Sequence, residues 1–261
     1  MLRPRLRGFT LIEMVTSIVI IGVIGASIAV FMKPALDSYF ETNRRAIMAE
    51  GADVVARRID RELKSALPNS IVSPTMSCVL FVPAVGGGRY RVEKNDAGLG
   101  DPLEFNKSDN SFDVLAHEGQ QPSPNVQVVI YNTGLGALDV YAGENRAALA
   151  SQSTGNWIRL DRSTKFPVPS PGNYFHLVPD RLDVFACAGN RLHRFSVAGI
   201  PASRPTACPA IPADAPVFAD GVAACAFTYR SADGLILFTL GLASGGETLM
   251  QQNEIHVDNT P

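Results

Sequence analysis

The sequence predicts an α+β protein, in which one long N-terminal α-helix packs on a β-rich globular head. Three observations predict it. Residues 14–32 are 19 consecutive uncharged, mostly apolar residues. Apolar residues then recur at steps of three or four from Met48 to Ala66, the period of a helix with one buried stripe. Beyond Pro68 the apolar runs shorten to strand length and begin to alternate with polar residues, the period of half-buried strands.

The first element is a short basic leader. Arg3, Arg5 and Arg7 precede the apolar run and no acid does. This positive-inside arrangement keeps the first residues cytoplasmic and exports everything after Lys33. The 19-residue run is close to the ~20 residues that a helix needs to cross a bilayer core. An ordinary secretory signal would be cut after the small residues Ser27 and Ala29, before Val30. Its apolar region is usually ~7 to 15 residues, shorter than this one, and here an acid, Glu13, stands at the near edge.

Composition excludes some functions. The chain has 261 residues, a formal charge of −2 and 46% hydrophobic residues. Without residues 1–8, 20 Lys+Arg face 25 Asp+Glu, so the exported part has no bulk attraction for nucleic acid.

Gly8 followed by Phe9-Thr10-Leu11-Ile12-Glu13, with a basic leader before it and an apolar helix after it, resembles the class III signal of type IV prepilins and type II secretion pseudopilins. The resemblance implies cleavage between Gly8 and Phe9 by a prepilin peptidase that also N-methylates Phe9. It also implies a retained helix that anchors in the inner membrane, with the head in the periplasm, and later packs in a filament core. Glu13 then has a physical role. Cleavage creates an amine at Phe9, and amine and carboxylate are each costly alone in a dry helix bundle. Glu13 can pair with the amine of a neighbouring subunit, and such a pair sets register more than it adds stability. Its place in the first helical turn also suits the macrodipole.

Gly22, Gly25, Ala26 and Ala29 share one helix face, and small residues at this spacing let helices approach closely. Pro34 lacks an amide donor and is expected to kink or locally open the helix. Past Met48 the stripe is Ala52, Val55, Ile59, Leu63 and Ala66, with Arg44, Arg45, Arg57, Arg58, Arg61 and Lys64 off it among acids, as on a solvated face. Pro68 biases Leu67 away from helix. From Phe9 to Ala66 the helix would be about 85 Å long. The expected divisions are a leader at 1–8, a transmembrane and filament-core half at 9–33, an amphipathic half at 34–67 and a head at 68–261.

Within the head, strand candidates are 78–82, 89–93, 126–131, 174–178, 182–188, 191–197, 222–230, 235–242 and 248–257. Gly189-Asn190 and Asp233-Gly234 fit hairpin turns. Residues 143–173, rich in Gly, Ser, Asn and Pro, read as a long surface connection. Cys78, Cys187, Cys208 and Cys225 all follow the apolar run, where an oxidising compartment allows two disulfides in three connectivities. Cys187 with Cys208 would close the connection after the 191–197 strand, leaving Cys78 with Cys225.

Four further stretches, "RRIDRELKSALPNSI" (57–71), "GGGRYR" (86–91), Cys225 to Tyr229 and "EIHVDNTP" (254–261), resemble the O-type minor pilins of mannose-sensitive haemagglutinin (MSHA) pilus systems. That resemblance implies a low-abundance pilin that initiates or caps the filament. Its partners would be major and minor pilins and an inner-membrane assembly platform driven by a cytoplasmic ATPase. The J-type minor pseudopilin of type II secretion shares the expected fold.

Chemistry-bearing motifs are sparse, so no enzyme, cofactor or metal is expected. His117, His176, His193 and His256 are scattered, without H-E-x-x-H or a G-x-S-x-G elbow. Asp96, Asp101, Asp109 and Asp113 lack EF-hand spacing. Gly86-Gly87-Gly88 is not followed by the Lys and Ser/Thr of a phosphate loop. A tip adhesin is the remaining alternative, with Trp157 and Tyr174 as aromatic contacts.

Overall fold

The computed structural model describes residues 8–261, so Arg3, Arg5 and Arg7 lie outside the described residues. Two compact units divide between Glu50 and Gly51, a boundary that falls inside helix α1 (Leu11–Lys64). In the first unit the helix exposes its apolar side chains, including Ile21, Val30 and Phe31, and it is long and apolar enough to cross a membrane. The helix continues unbroken through Pro34, contrary to the expected local opening. A proline removes a single rung of the ladder, and the rungs on either side hold.

The second unit begins with the last turns of α1. Ala52, Val55, Ile59 and Leu63 are buried in the core of the head, as their spacing requires. Of the charges beside them, Arg57 pairs with Asp53 and Lys64 with Asp60 along the helix. Two others are not simply solvated: Arg58 lies over the Phe218 ring and Glu62 pairs with Arg194.

The strands are β1 (Val72–Thr75), β2 (Cys78–Phe81), β3 (Gly86–Tyr90), β4 (Asp109–Gly119), β5 (Val126–Ile130), β6 (Arg146–Ala148) and β7 (Trp157–Thr164). They continue with β8 (Tyr174–Pro179), β9 (Arg181–Ala188), β10 (Arg191–Ala198), β11 (Val217–Asp220), β12 (Val222–Arg230), β13 (Leu235–Ser244) and β14 (Glu247–His256). They form three sheets in the orders β1-β2-β9-β10-β11, β12-β13-β14 and β6-β5-β8-β3-β4-β7. The Asp233-Gly234 hairpin is present; Gly234 takes φ +60°, and a Cβ there would lie 2.6 Å from the Val257 carbonyl oxygen.

Strand β2 reads as an unbroken apolar run because both its faces are covered. Val79 and Phe81 point into the core shared by α1 and the β12–β14 sheet. Cys78 and Leu80 point the other way, into a core with Leu67, Tyr141 and Val184. A third core lies under the six-stranded sheet around Tyr90, Phe112 and Phe175.

Two expectations are corrected. The disulfides are Cys78–Cys208 and Cys187–Cys225, not the pairing favoured by sequence order. Cys78 faces Ala186 across the β2/β9 ladder, so its neighbour Cys187 points to the opposite side of the sheet. Cys187 therefore meets β12, and Cys78 meets the 199–216 segment. Second, residues 143–173 are not merely a connection, since they contain β6 and β7 and bury Leu149, Ile158, Leu160 and Phe166.

The chain leaves α1 through a polar hub. The Pro68 carbonyl accepts from Asn132 Nδ2 (2.6 Å), and the Ser70 carbonyl accepts from the Tyr141 hydroxyl (2.6 Å). Burial pushes the Tyr141 phenol far above its ordinary pKa, so the hydroxyl stays a donor. Asn69 donates its amide to Asn259 Oδ1 (3.2 Å), and its carbonyl accepts from Arg204 Nη2 (3.0 Å). Three distant parts of the sequence thus grip three successive residues.

Candidate processing and assembly site

Gly8, Phe9 and Thr10 are exposed and precede the helix. Among the described residues nothing lies within 4 Å of where a Gly8 Cβ would be, and Phe9 is 81% exposed. Among the described residues, Gly8 and Phe9 lie outside the helix.

Helix α1 starts immediately afterwards because Thr10 caps it. The Thr10 carbonyl accepts the Met14 amide (3.2 Å). Its hydroxyl accepts the Glu13 amide (3.3 Å) and donates to Glu13 Oε2 (3.0 Å). In return, Glu13 Oε2 accepts the Thr10 amide (3.1 Å). This reciprocal arrangement is a capping box, in which a Thr and a Glu three residues apart satisfy two of the orphan amides of the first turn. The Thr-x-x-Glu spacing just before an apolar run is a readable signal for it, and it accounts for part of Glu13's placement that the charge argument alone misses. A carboxylate can accept about four hydrogen bonds, so capacity remains for a further donor.

Gly22, Gly25, Ala26 and Ala29 are all exposed, and a Cβ added at Gly22 or Gly25 would meet nothing within 4 Å. The small-residue face is thus uncovered in the single chain. Pro34, also exposed, follows on the same helix.

Three of the four acids considered for calcium, Asp101, Asp109 and Asp113, accept from protein donors. Asp101 Oδ2 accepts from the Ser111 hydroxyl (2.7 Å) and Trp157 Nε1 (3.2 Å). Asp113 Oδ2 accepts from Arg91 Nε (3.0 Å), and Asp109 Oδ2 from the Glu104 amide (2.9 Å). Among the described residues no group of three His, Cys, Asp or Glu could hold a metal ion. His256 is exposed on β14, whereas His176 is largely buried on β8.

A long apolar helix with a capped acid at its entrance, joined to a β-rich head, is the fold of type IV pilin-like subunits. The particular signal is confirmed by comparison: the family model for the prokaryotic N-terminal methylation motif matches residues 3–29. The chain therefore carries a type IV prepilin-like signal. The motif supports a pilin or pseudopilin-like structural subunit, processed by a prepilin peptidase, anchored through its N-terminal helix and assembled with other pilins. No curated protein and no solved structure matches this chain.

Proposed function

We propose that this chain is a minor pilin of an MSHA-type type IV pilus, acting in initiation or at the filament tip. The observation that supports the pilin-like part of this reading is the matched N-terminal motif, with Glu13 held at the helix entrance by Thr10.

In this reading the peptidase cuts between Gly8 and Phe9 and methylates the new Phe9 amine. Residues 9–33 then hold the chain in the inner membrane in a single pass, with the head, residues 68–261, in the periplasm. On assembly the amine of one subunit meets the spare acceptor sites of Glu13 in another. Because the cap already fixes the carboxylate, little side-chain freedom is lost when the pair forms. The Gly22, Gly25, Ala26 and Ala29 face lets neighbouring helices approach closely, and Pro34 marks the passage from the filament-core half of the helix to its amphipathic half. The head, with fourteen strands among the described residues, is bulky to repeat at every position of a thin filament but meets no subunit above it at the tip. The resemblance of residues 57–71, 86–91, 225–229 and 254–261 to O-type minor pilins is what favours the MSHA system over type II secretion.

The test is to express the chain with its peptidase and native pilus genes, then sequence the mature N-terminus and probe sheared filaments. N-methylated Phe9 as the first residue, with the protein in substoichiometric amounts in filaments, is expected. A first residue of Val30 would make it a freely secreted protein, and secretion loss without pilus loss on gene deletion would move it to a secretion system.

A further inference from the structure

Among the described residues the three sheets have six end strands, and five of them are blunted or covered. Strands β1 and β11 are four residues long, each with a register irregularity. Strands β6 and β7 meet each other through a bridge between Leu149 and Leu160. The outer edge of β12 is capped, its Val222 amide donating to the Asn190 carbonyl (2.8 Å) and its Phe227 amide to the Met76 carbonyl (2.7 Å). Strand β14 differs. It is 10 residues long, pairs with β13 in unbroken register, and contains no Pro, Lys or bulge.

The direction of its backbone groups follows from one bond. The Val257 amide donates to the Gly234 carbonyl (2.8 Å) on the β13 side. In an antiparallel ladder the amides and carbonyls of Thr248, Met250, Gln252, Glu254 and His256 therefore turn away from β13. Among the described residues no strand lies beyond them. A long, straight row of unpaired backbone groups is a template for another strand. The packing agrees. Gln251 and Asn253 stand directly opposite Leu240 and Phe238, and directly opposite residues share a face. Leu240 and Phe238 are buried, whereas Gln251 and Asn253 are half-buried, so the layer over α1 is incomplete at this edge.

Charge selects the occupant. Residues 231–261 contain no Lys or Arg, while β14 carries Glu247 and Glu254, and Asp258 follows it. A second copy would bring the same acids. It would also pair antiparallel about an axis perpendicular to the sheet, reversing the 51–64 turns of α1 that share a core with that sheet. Chains anchored side by side in one membrane cannot meet in that way. We propose that the β14 edge docks a basic, extended segment of a different polypeptide, which joins the sheet as a fourth strand with Lys or Arg beside Glu254.

The test titrates the full chain, in a zwitterionic detergent, with a peptide of five Lys-Val repeats. Two controls are a peptide of five Glu-Val repeats and the Lys-Val peptide N-methylated at every backbone amide, which keeps its charges but loses its donors. The Lys-Val peptide is expected to bind at least about tenfold more tightly than either control and to slow amide exchange at residues 248–256. Gln252→Pro removes an outward donor without touching the β13 ladder, and Glu254→Lys reverses the exposed charge. Each is expected to weaken binding about tenfold, the loss of one good contact. Equal binding of either control, binding unaltered by both variants, or no binding at millimolar peptide overturns the proposal. So does concentration-dependent dimerisation that Gln252→Pro abolishes, which would assign the edge to a second copy. Peptide binding is read on the purified chain, so its outcome and that of filament entry are decided separately.

Discussion

Glu13 accepts both the backbone amide and the hydroxyl of Thr10 at 3.1 and 3.0 Å. The acid at the edge of the apolar run is therefore not a dangling charge awaiting a partner. It is already part of the helix start, with lone pairs to spare.

Charge and cap can be separated by mutation. Glu13→Gln keeps an oxygen acceptor for the Thr10 amide but removes the charge, whereas Thr10→Val removes only the hydroxyl. Both variants are expected to insert in the membrane normally. A hydrogen bond to a charged group contributes about 1.5–3 kcal/mol, so Glu13→Gln should lower recovery in sheared filaments by about tenfold or more. Loss of the Thr cap costs about 1 kcal/mol and should have the smaller effect. Wild-type recovery of Glu13→Gln would show that the carboxylate's charge is dispensable.

A non-reducing peptide map should join Cys78 to Cys208 and Cys187 to Cys225. Replacing Cys187 and Cys225 together by Ser removes a 38-residue link between β9 and β12, at an expected cost of about 2–4 kcal/mol in denaturant titration. A map with Cys187 joined to Cys208 would contradict the register of β2 and β9.

Asn259 ties the C-terminal segment to the helix exit. Its Oδ1 accepts the Asn69 amide, its carbonyl accepts Asn69 Nδ2 (2.9 Å), and its Nδ2 donates to the Tyr229 hydroxyl (3.0 Å). Asn259→Ala is expected to cost about 1–3 kcal/mol, lowering Tm by about 2–4 °C per kcal/mol for a unit of this size. An unchanged Tm would mean that the segment is held by its backbone alone.

His176 should make the head sensitive to acid. Its pKa is lowered by burial, so the unfolded chain binds the proton more readily than the folded one. Stability from this group is full above the unfolded value of about 6.5 and is lost as pH falls through that value towards the folded one. His176→Gln is expected to flatten the fall in Tm between pH 7 and pH 5. A fall of equal slope in the variant would assign the effect elsewhere.

Most of this architecture is legible in the residues because it depends on local period. The 48–66 stripe and the runs around β2, β5, β8, β9, β10, β12, β13 and β14 each announce themselves. Strands β4 and β7 do not, because each contributes only two inward apolar side chains, Phe112 with Val114 and Ile158 with Leu160, among charged and small polar residues. Strands β1, β6 and β11 are only three or four residues long, too short to show a period. The disulfide pairing is set by which strands become neighbours, and that is decided by contacts far apart in sequence. The capping box, by contrast, was written in four residues.

The grip at residues 68–70 also decides how the molecule bears load. Tension drawn along the helix is borne first by Ala52, Val55, Ile59 and Leu63 in the core and then at residues 68–70, where Asn132, Tyr141, Arg204 and Asn259 hold adjacent carbonyls and an amide. These bonds act in parallel, so a tug must rupture several of them together instead of unzipping them one by one, and the joint yields late under strain.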